Sequence, residues 1–517
     1  MEPKGRHKSI LPELLLLKVR NIPWLKAKVS QREPLMLIKT DKDIISSYLE
    51  DYSNLKGGFA EKVAIPENES EIISLLKEAS AKKIPVTISG AGTAVTGGRI
   101  AFGGILLSLE RLNRVISIGK HSAVVQAGVC LKDFLSQVDK KGLFYPPDPT
   151  EKSSLIGGNI ATGASGARTY KFGTTRDFVK RLRVILSSGE IVDIKRGETF
   201  AGKDGVLKIP LVLRQSIEVK LPTYKMPQTK NAAGYYVRPG MDAIDLFIGQ
   251  EGTLGVVTQA ELKLLDKPHG IFCCYVFFST DEDCLEFIYE AREKMDALSL
   301  EYFDKNALNL IKSKHPEIPE GVNEACFFEQ IVDKNNEDEL IAKWMSLIEK
   351  HKSDPAKSWF GQSEEEKKRF HDFRHDVPDT VNEFVKRTGQ TKIGTDIAVP
   401  DNSLAEMLAF YKKHLSASGM YCLMFGHIGN SHVHVNMLPK DKAEHEKAKG
   451  IYLEFVKKAI SLNGTVSAEH GIGKVKHQYL KLMYGENAIL EMAHLKKTFD
   501  PSCILGLDNI FPRELLL

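Results

Sequence analysis

The stretch IPVTISGAGTAVTGG, Ile84 to Gly98, runs an apolar strand pattern into a turn that contains Gly90, Gly92, Gly97 and Gly98. Glycines let the backbone approach a ligand closely, and a succession of exposed N–H groups can hold an anion without any cationic side chain. The spacing matches neither of the two common phosphate signatures. The third glycine of GxGxxG would fall at Val95, and no lysine follows Gly97 or Gly98 as a Walker loop requires. Taken alone, the loop is better explained as an ordinary tight turn.

Two further segments change that reading. YPPDPTEKSSLIGGNIATGASGARTYKFG, Tyr145 to Gly173, is rich in Gly, Pro and Thr and has no hydrophobic period. It is too long for an incidental connection inside a compact domain and needs a ligand to explain it. GQEGTLGVVT, Gly249 to Thr258, enters a strand from a third glycine turn. Three such loops in one α/β region can surround a long dinucleotide, which needs backbone contact along its pyrophosphate and a walled slot for its rings.

Outward from the loops, VAIP, the periodic run IISLLKEASAKK after a capping NES, and IPVTIS read as a βαβ unit. GGILLSL, SAVVQAG and the helical LKDFLSQVDKKG, stopped by Gly142, continue the mixed pattern. Composition shifts at Lys267-Pro268-His269-Gly270, which places a domain border near residue 268. Beyond it, Ile271–Phe278, Ala325–Val332 and Ile393–Val399 read as strands, and Asp281–Met295 and Glu337–Lys350 as helices. The expectation is a sheet with helices on one face, and the charge-rich Glu364–Arg374 reads as a solvated helix surface.

The chain has 517 residues, enough for about three domains. Basic residues exceed acidic ones by 71 − 67 = 4, spread along the chain, which argues against a binder of nucleic acid. The cysteine total is seven and no CxxC pair occurs, so no zinc finger, iron–sulfur cluster or disulfide framework is encoded, and a reducing compartment fits. The apolar run Leu14–Leu17 is far too short for a transmembrane segment. Residues 1–32 are basic and carry Leu11, Leu14, Leu15, Ile22, Trp24 and Leu25. They read as a leading helix packed on the body, an interfacial membrane helix or an organelle transit peptide. The expected location is the cytoplasm, with peripheral attachment at the inner face of a membrane and organelle import as alternatives.

The ordered set PVTISGAGT, PPDPT, GGNIATGASGARTYKFG and QEGTLGVVT resembles the FAD-binding fold of vanillyl-alcohol oxidase-like flavoproteins, from about residue 55 to the C-terminus. It lies closest to the branch of D-lactate dehydrogenase, D-2-hydroxyglutarate dehydrogenase and the FAD subunit of glycolate oxidase. The resemblance implies an α+β chain: an N-terminal helical lead over 1–54 and a PCMH-type FAD-binding domain of two α/β subdomains over 55–267. A substrate-binding cap of antiparallel sheet and helices over 268–462 and a C-terminal helical segment over 463–517 that returns to the flavin would complete it. By the same resemblance Gly90, Ala91, Gly92, Thr93, Gly97 and Gly98 hold the FAD diphosphate. Pro147, Asp148, Pro149, Thr150, Gly157, Gly158, Asn159, Thr162, Gly163 and Gly166 line the flavin and ribityl track, and Glu251, Gly252, Gly255 and Val257 flank the adenine side. Ser89 departs from the arginine common before the first loop. Neither the loop histidine nor the cap cysteine that attaches FAD covalently in some relatives is present, so the FAD is expected to be noncovalent.

FGHIGNSHVHVN, Phe425 to Asn436, places His427 before a turn and His432 and His434 after it, and SAEHGIG follows with Glu469 and His470. Imidazoles across such a turn can converge on one ion, and two His with one carboxylate leave positions open for a substrate. The pattern is similar to the metal and catalytic signature of the same branch. It implies His427, His434 and Glu469 as ligands of a divalent metal, zinc or manganese, with His470 as general base. A hydride would pass from the substrate Cα to flavin N5. Asn430, Ser431 and His432 replace the usual Asp, Gly and Asn, which makes His432 a candidate extra ligand or a tuner of the others. Arg374 aligns with the arginine that clamps the substrate carboxylate.

KIGTDIAVP, Lys392 to Pro400, resembles the D-lactate enzymes more than those that act on 2-hydroxyglutarate, because the lysine used for a distal carboxylate would fall at Gly394, with Lys392 two positions away as its one substitute. The C-terminal DPSCILGLDNIF also lacks the family's Asn-Pro-Gly-Lys, with Gly506 to Asn509 in its place. The implied activity is oxidation of a small D-2-hydroxy acid, D-lactate first, with a quinone, cytochrome or electron-transfer protein as acceptor and an iron–sulfur subunit as a further partner. The alternatives are a non-redox transferase like alkyl-dihydroxyacetone-phosphate synthase and a noncatalytic flavoprotein subunit of an electron-transfer complex.

Overall fold

The computed structural model describes residues 36–213 and 216–516, so the reading of residues 1–32 lies outside the described residues. The first sheet contains β1 (Leu37–Lys39), β2 (Lys62–Ile65), β3 (Val86–Ser89) and β4 (Ile105–Ser108) in the order β1-β2-β4-β3. β2 and β3 both run parallel to β4. The crossover is α1 (Glu69–Lys82), which begins where Asn68 Oδ1 accepts the Glu71 N–H at 3.0 Å. It buries Ile72, Leu75, Leu76 and Ala79, one stripe at helical spacing, against the sheet. The first glycine loop starts at the end of β3, where strand hydrogen bonding stops.

A second sheet of five antiparallel strands follows: β5 (Val115–Ile118), β6 (Ser122–Gln126), β7 (Val179–Ile185), β8 (Ile191–Lys195) and β9 (Val256–Lys263), ordered β5-β6-β9-β7-β8. The second glycine-rich segment lies between β6 and β7. β9 pairs with both β6 and β7, so the third glycine loop delivers the chain to the middle of this sheet.

The cap is a seven-stranded antiparallel sheet. Its strands are β10 (Gly270–Phe278), β11 (Ser299–Phe303), β12 (Glu324–Val332), β13 (Trp359–Gly361), β14 (Ile393–Gly394), β15 (Tyr421–Gly426) and β16 (His434–Leu438), ordered β13-β10-β12-β11-β15-β16-β14. Helices cover both of its faces, which corrects the one-face expectation. From β10, Phe272, Cys274, Val276 and Phe278 pack with α2 (Asp281–Lys294) and α4 (Glu337–Lys350). Cys273, Tyr275 and Phe277 pack on the other side with α3 (Lys305–Ile311) and α5 (Glu364–Thr388). A strand whose every residue is apolar, as IFCCYVFF is, must be covered on two sides. Glu364, Glu365, Lys368, Arg369 and Asp372 form the solvated face of α5, as the charge pattern suggests, while Phe370 and Phe373 are buried on its other side.

Only Ile393 and Gly394 of the expected strand Ile393–Val399 join the cap sheet as a strand. From Thr395 the chain turns to serve other groups: the Thr395 carbonyl accepts from His434 Nδ1, and Ala398 bridges to His432 and Thr465.

The C-terminal chain returns to the first sheet, where Val86 N–H donates to Ile504 O at 2.7 Å and Gly506 N–H to Val86 O at 2.9 Å. A buried ion pair fixes this return. Lys496 Nζ reaches Asp500 at 2.8 Å and also donates to Thr253 O and Leu505 O, while Asp500 accepts the Ile504 and Leu505 N–H groups. Removing the ammonium leaves an uncompensated carboxylate in the core. Lys496→Met is expected to lower the unfolding free energy by about 3–5 kcal/mol, read by chemical denaturation, and a loss under 1 kcal/mol, roughly that of a surface pair, would contradict this placement.

Candidate active site

The three glycine loops face one another. A Cβ built on Gly90 would meet nothing nearer than Gly158 Cα at 3.9 Å, one on Gly158 would meet nothing within 4 Å, and one on Gly163 would meet only Gly249, at 3.7 Å. The first, second and third loops therefore bound a slot whose walls lack side chains, which is the cradle that a flat, elongated cofactor such as FAD needs. Ala91 is exposed and Thr93 half-buried beside this slot, whereas Pro147, Pro149, Gly157 and Asn159 are buried within the second segment. Gly166 is pinned, since a Cβ there would lie 1.9 Å from Asp148 O. Gly97 N–H donates to Asp51 at 3.1 Å, and Thr162 Oγ1 closes back on Gly158 O.

The remaining predicted positions are placed differently. Glu251 carries its carboxylate toward the C-terminal turn, where it accepts the Ile472 and Gly473 N–H groups at 2.8 and 2.7 Å. Burial raises its pKa to about 7 despite those bonds. Gly252 abuts Ile88, Gly255 abuts Val184, and Val257 is part of the hydrophobic core, so these three have only backbone to offer a ligand.

The histidine group forms at the end of β15 and the start of β16. After Gly426 the chain makes a short 3₁₀ turn, Ile428–Asn430, then Ser431 takes a left-handed conformation at φ 53°. Glycine would adopt that conformation at lower cost, and here the serine hydroxyl donates to Asp401 at 2.6 Å and accepts from Arg292. The turn brings ligand atoms of His427, His432, His434 and Glu469 within 4.8 Å of one another. His427 Nδ1 bonds Glu301 Oε1 at 2.6 Å and His434 Nδ1 bonds Thr395 O at 2.9 Å, which leaves both Nε2 atoms toward Glu469, at 3.3 and 3.8 Å. His432 is fully buried, and among the described residues its ring nitrogens make no well-aligned hydrogen bond, Asp396 lying 3.4 Å from its Nε2. Burial lowers its pKa to about 4 and holds His434 well below the usual histidine range, so both rings keep free lone pairs near neutrality. Three imidazoles and one carboxylate, with His427 and His434 oriented from behind by Glu301 and Thr395, could hold a metal ion.

Three residues that the sequence reading gave no role, Glu301, Asp396 and Lys230, organise this group. Burial opposes charge on Glu301, yet Arg374 and His427 bring its pKa to about 2. Asp396 accepts the Glu469 and His470 N–H groups at 3.1 and 3.0 Å and is bonded by Ser467 Oγ and Lys476 Nζ. Its Oδ2 also lies 3.3 Å from His470 Nδ1. Lys230, almost wholly buried, bonds Glu469 Oε1, which also accepts from Ser165 Oγ. Arg168 pairs bidentately with Glu329 at 2.8 and 3.1 Å. The signal for Glu301 and Asp396 was available: each is a lone carboxylate in an otherwise apolar or small-residue strand pattern, SLEYF and IGTDIAV.

Arg374 sits on α5 against the same sheet face, but its fork is already occupied, because Nε and Nη2 both reach Glu301 Oε2 at 2.8 Å. Nη1 is the guanidinium nitrogen that Glu301 does not hold. Arg374 lines a cavity of about 190 Å³ together with Asp148, Thr150, Arg168, Glu329 and His371. That cavity lies between the second glycine segment and the cap. Among the described residues no helix is long and apolar enough to cross a membrane.

Comparison with known proteins agrees with this architecture. The FAD binding domain family matches residues 60–195, and the family of C-terminal domains of FAD linked oxidases matches residues 268–507. Glycolate oxidase subunit GlcD of Bacillus subtilis (strain 168) is 30% identical over 461 residues, covering 87% of this chain and 89% of that one. A D-lactate dehydrogenase of Anaerostipes hadrus is 28% identical over 94% of this chain and 96% of its own. A D-2-hydroxyglutarate dehydrogenase of Stutzerimonas stutzeri (strain A1501) is 25% identical over 92% and 96%. The fold is shared with a solved alkyldihydroxyacetonephosphate synthase at a TM-score of 0.64 and 16% identity, over 92% of this chain and 82% of that one. The chain belongs to the FAD-linked oxidases, in the branch that holds D-lactate dehydrogenase, GlcD and D-2-hydroxyglutarate dehydrogenase.

Proposed function

We propose that this chain oxidises a D-2-hydroxy acid, D-lactate first, to the corresponding 2-oxo acid. The observation that carries the reading is the convergence of His427, His434 and Glu469 beside His470, whose ring lies nearly parallel to that of His434 at 5.7 Å. Bound FAD would accept the hydride from the substrate carbon, and a divalent ion on His427, His434 and Glu469 would polarise the substrate oxygens. Asp396 holds His470 by Nδ1, so Nε2 is the atom that takes the hydroxyl proton. Arg374 meets the substrate carboxylate with Nη1 while Glu301 fixes the rest of its guanidinium and the His427 ring together. Against the cost of burial, His427 and then Lys230 keep Glu469 ionised, and Lys230 turns it inward.

The chain has no GxGxxG fingerprint, which favours a quinone, cytochrome or electron-transfer protein over a nicotinamide as acceptor. The missing lysine at Gly394 favours D-lactate over a dicarboxylate.

Anaerobic addition of D-lactate to the purified flavoprotein is expected to bleach the oxidised flavin band, with L-lactate inert. A bound flavin that no D-2-hydroxy acid reduces, from lactate to longer chains, would contradict the reading. His470→Asn is expected to lower kcat about 10²- to 10⁴-fold with flavin content unchanged, and a loss under tenfold would remove His470 as the base.

A further inference from the structure

Lys474 is a largely buried ammonium without a counterion of its own. Its Nζ donates to Asn509 Oδ1 at 2.5 Å and to Gly98 O at 3.4 Å, both neutral acceptors, and among the described residues it forms no ion pair. The carboxylates around it are committed elsewhere. Glu251 accepts the Ile472 and Gly473 N–H groups, Asp508 pairs with Arg513, and Asp51 accepts from Gly97 N–H and Ser53. An ammonium partly withdrawn from water, whose hydrogen-bond acceptors are both neutral, gains by pairing with an anion that arrives beside it.

The position identifies the anion. Lys474 N–H donates to Thr96 O, so the residue is tied to the first glycine loop through its backbone and, at Gly98, through its side chain. Asn509 Nδ2 donates to Gly98 O and to Glu251 O, at 3.0 and 2.8 Å, and so joins the first loop to the third. Asn509 is also where the family motif would have its lysine, which this chain lacks. We propose that Lys474 takes over that charge and is a cofactor-binding residue, its ammonium pairing with the diphosphate of FAD while Asn509 orients it. This rests on FAD lying between the three loops. Burial brings the Lys474 pKa down to about 8, against the opposing pull of Asp508 and Glu251 nearby.

The test is reconstitution of apoprotein with FAD, read by quenching of flavin fluorescence. Lys474→Met is expected to weaken FAD binding at least tenfold and to flatten its salt dependence, and the double variant Lys474→Met with Asn509→Lys is expected to recover affinity to within threefold of wild type. The melting temperature of the apo single variant is expected to equal or exceed that of wild type, whereas a purely structural lysine would lower it. Unchanged affinity in Lys474→Met, or no recovery in the double variant, overturns the proposal. So does an altered flavin reduction potential with unchanged FAD affinity, which would put the charge at the ring instead. Failure of wild-type protein to bind FAD at all would count against the cofactor reading itself and is seen separately from these outcomes.

Discussion

The active-site arrangement depends on one buried carboxylate. Asp396 is removed from solvent, which opposes its charge, yet His470 and Lys476 hold its pKa well below the usual carboxylate range. It accepts from Glu469 N–H, His470 N–H, Ser467 Oγ and Lys476 Nζ, so a residue of the cap fixes the conformation of the C-terminal turn. That turn sends the Glu469 side chain toward His427 and His434 and the His470 ring alongside them. Glu301 performs a parallel task on the cap sheet, tying Arg374 to His427. Two carboxylates that are proposed to touch neither substrate nor cofactor thus set the geometry of those that are.

The glycine loops, the histidine turn and EHGIG were legible because each is contiguous, so its chemistry can be read from neighbouring letters. Glu301 and Asp396 stand out in the letters only as lone carboxylates in strand patterns, and the roles of these two and of Lys230 were not readable, because their partners lie 126, 74 and 239 residues away in sequence. Fold-level pairing alone brings such groups together. The same limit explains Arg374: its type and place were readable, but its capture by Glu301 was not. The second helical layer on the cap was latent in the unbroken apolar run Ile271–Phe278, which leaves no face of the strand for water.

The departures at residues 430–432 also have physical content. Ser431 bears a left-handed backbone that a glycine would carry at lower cost, in exchange for contacts to Asp401 and Arg292. His432 is a third imidazole in the ligand cluster, buried and, among the described residues, without a well-aligned hydrogen bond. Ser431 adds a hydroxyl where the usual residue is glycine and His432 puts an imidazole in place of an amide, and both leave the convergence of His427, His434 and Glu469 intact.

The most direct test of this account is the number of divalent ions retained per chain after equilibration with zinc or manganese and gel filtration, measured by plasma mass spectrometry on wild type and on Glu301→Gln. One ion per chain is expected in wild type, with an affinity roughly 10- to 100-fold weaker when the carboxylate behind His427 is neutralised. Wild-type protein that retains neither metal, or a variant that binds as tightly as wild type, would contradict it.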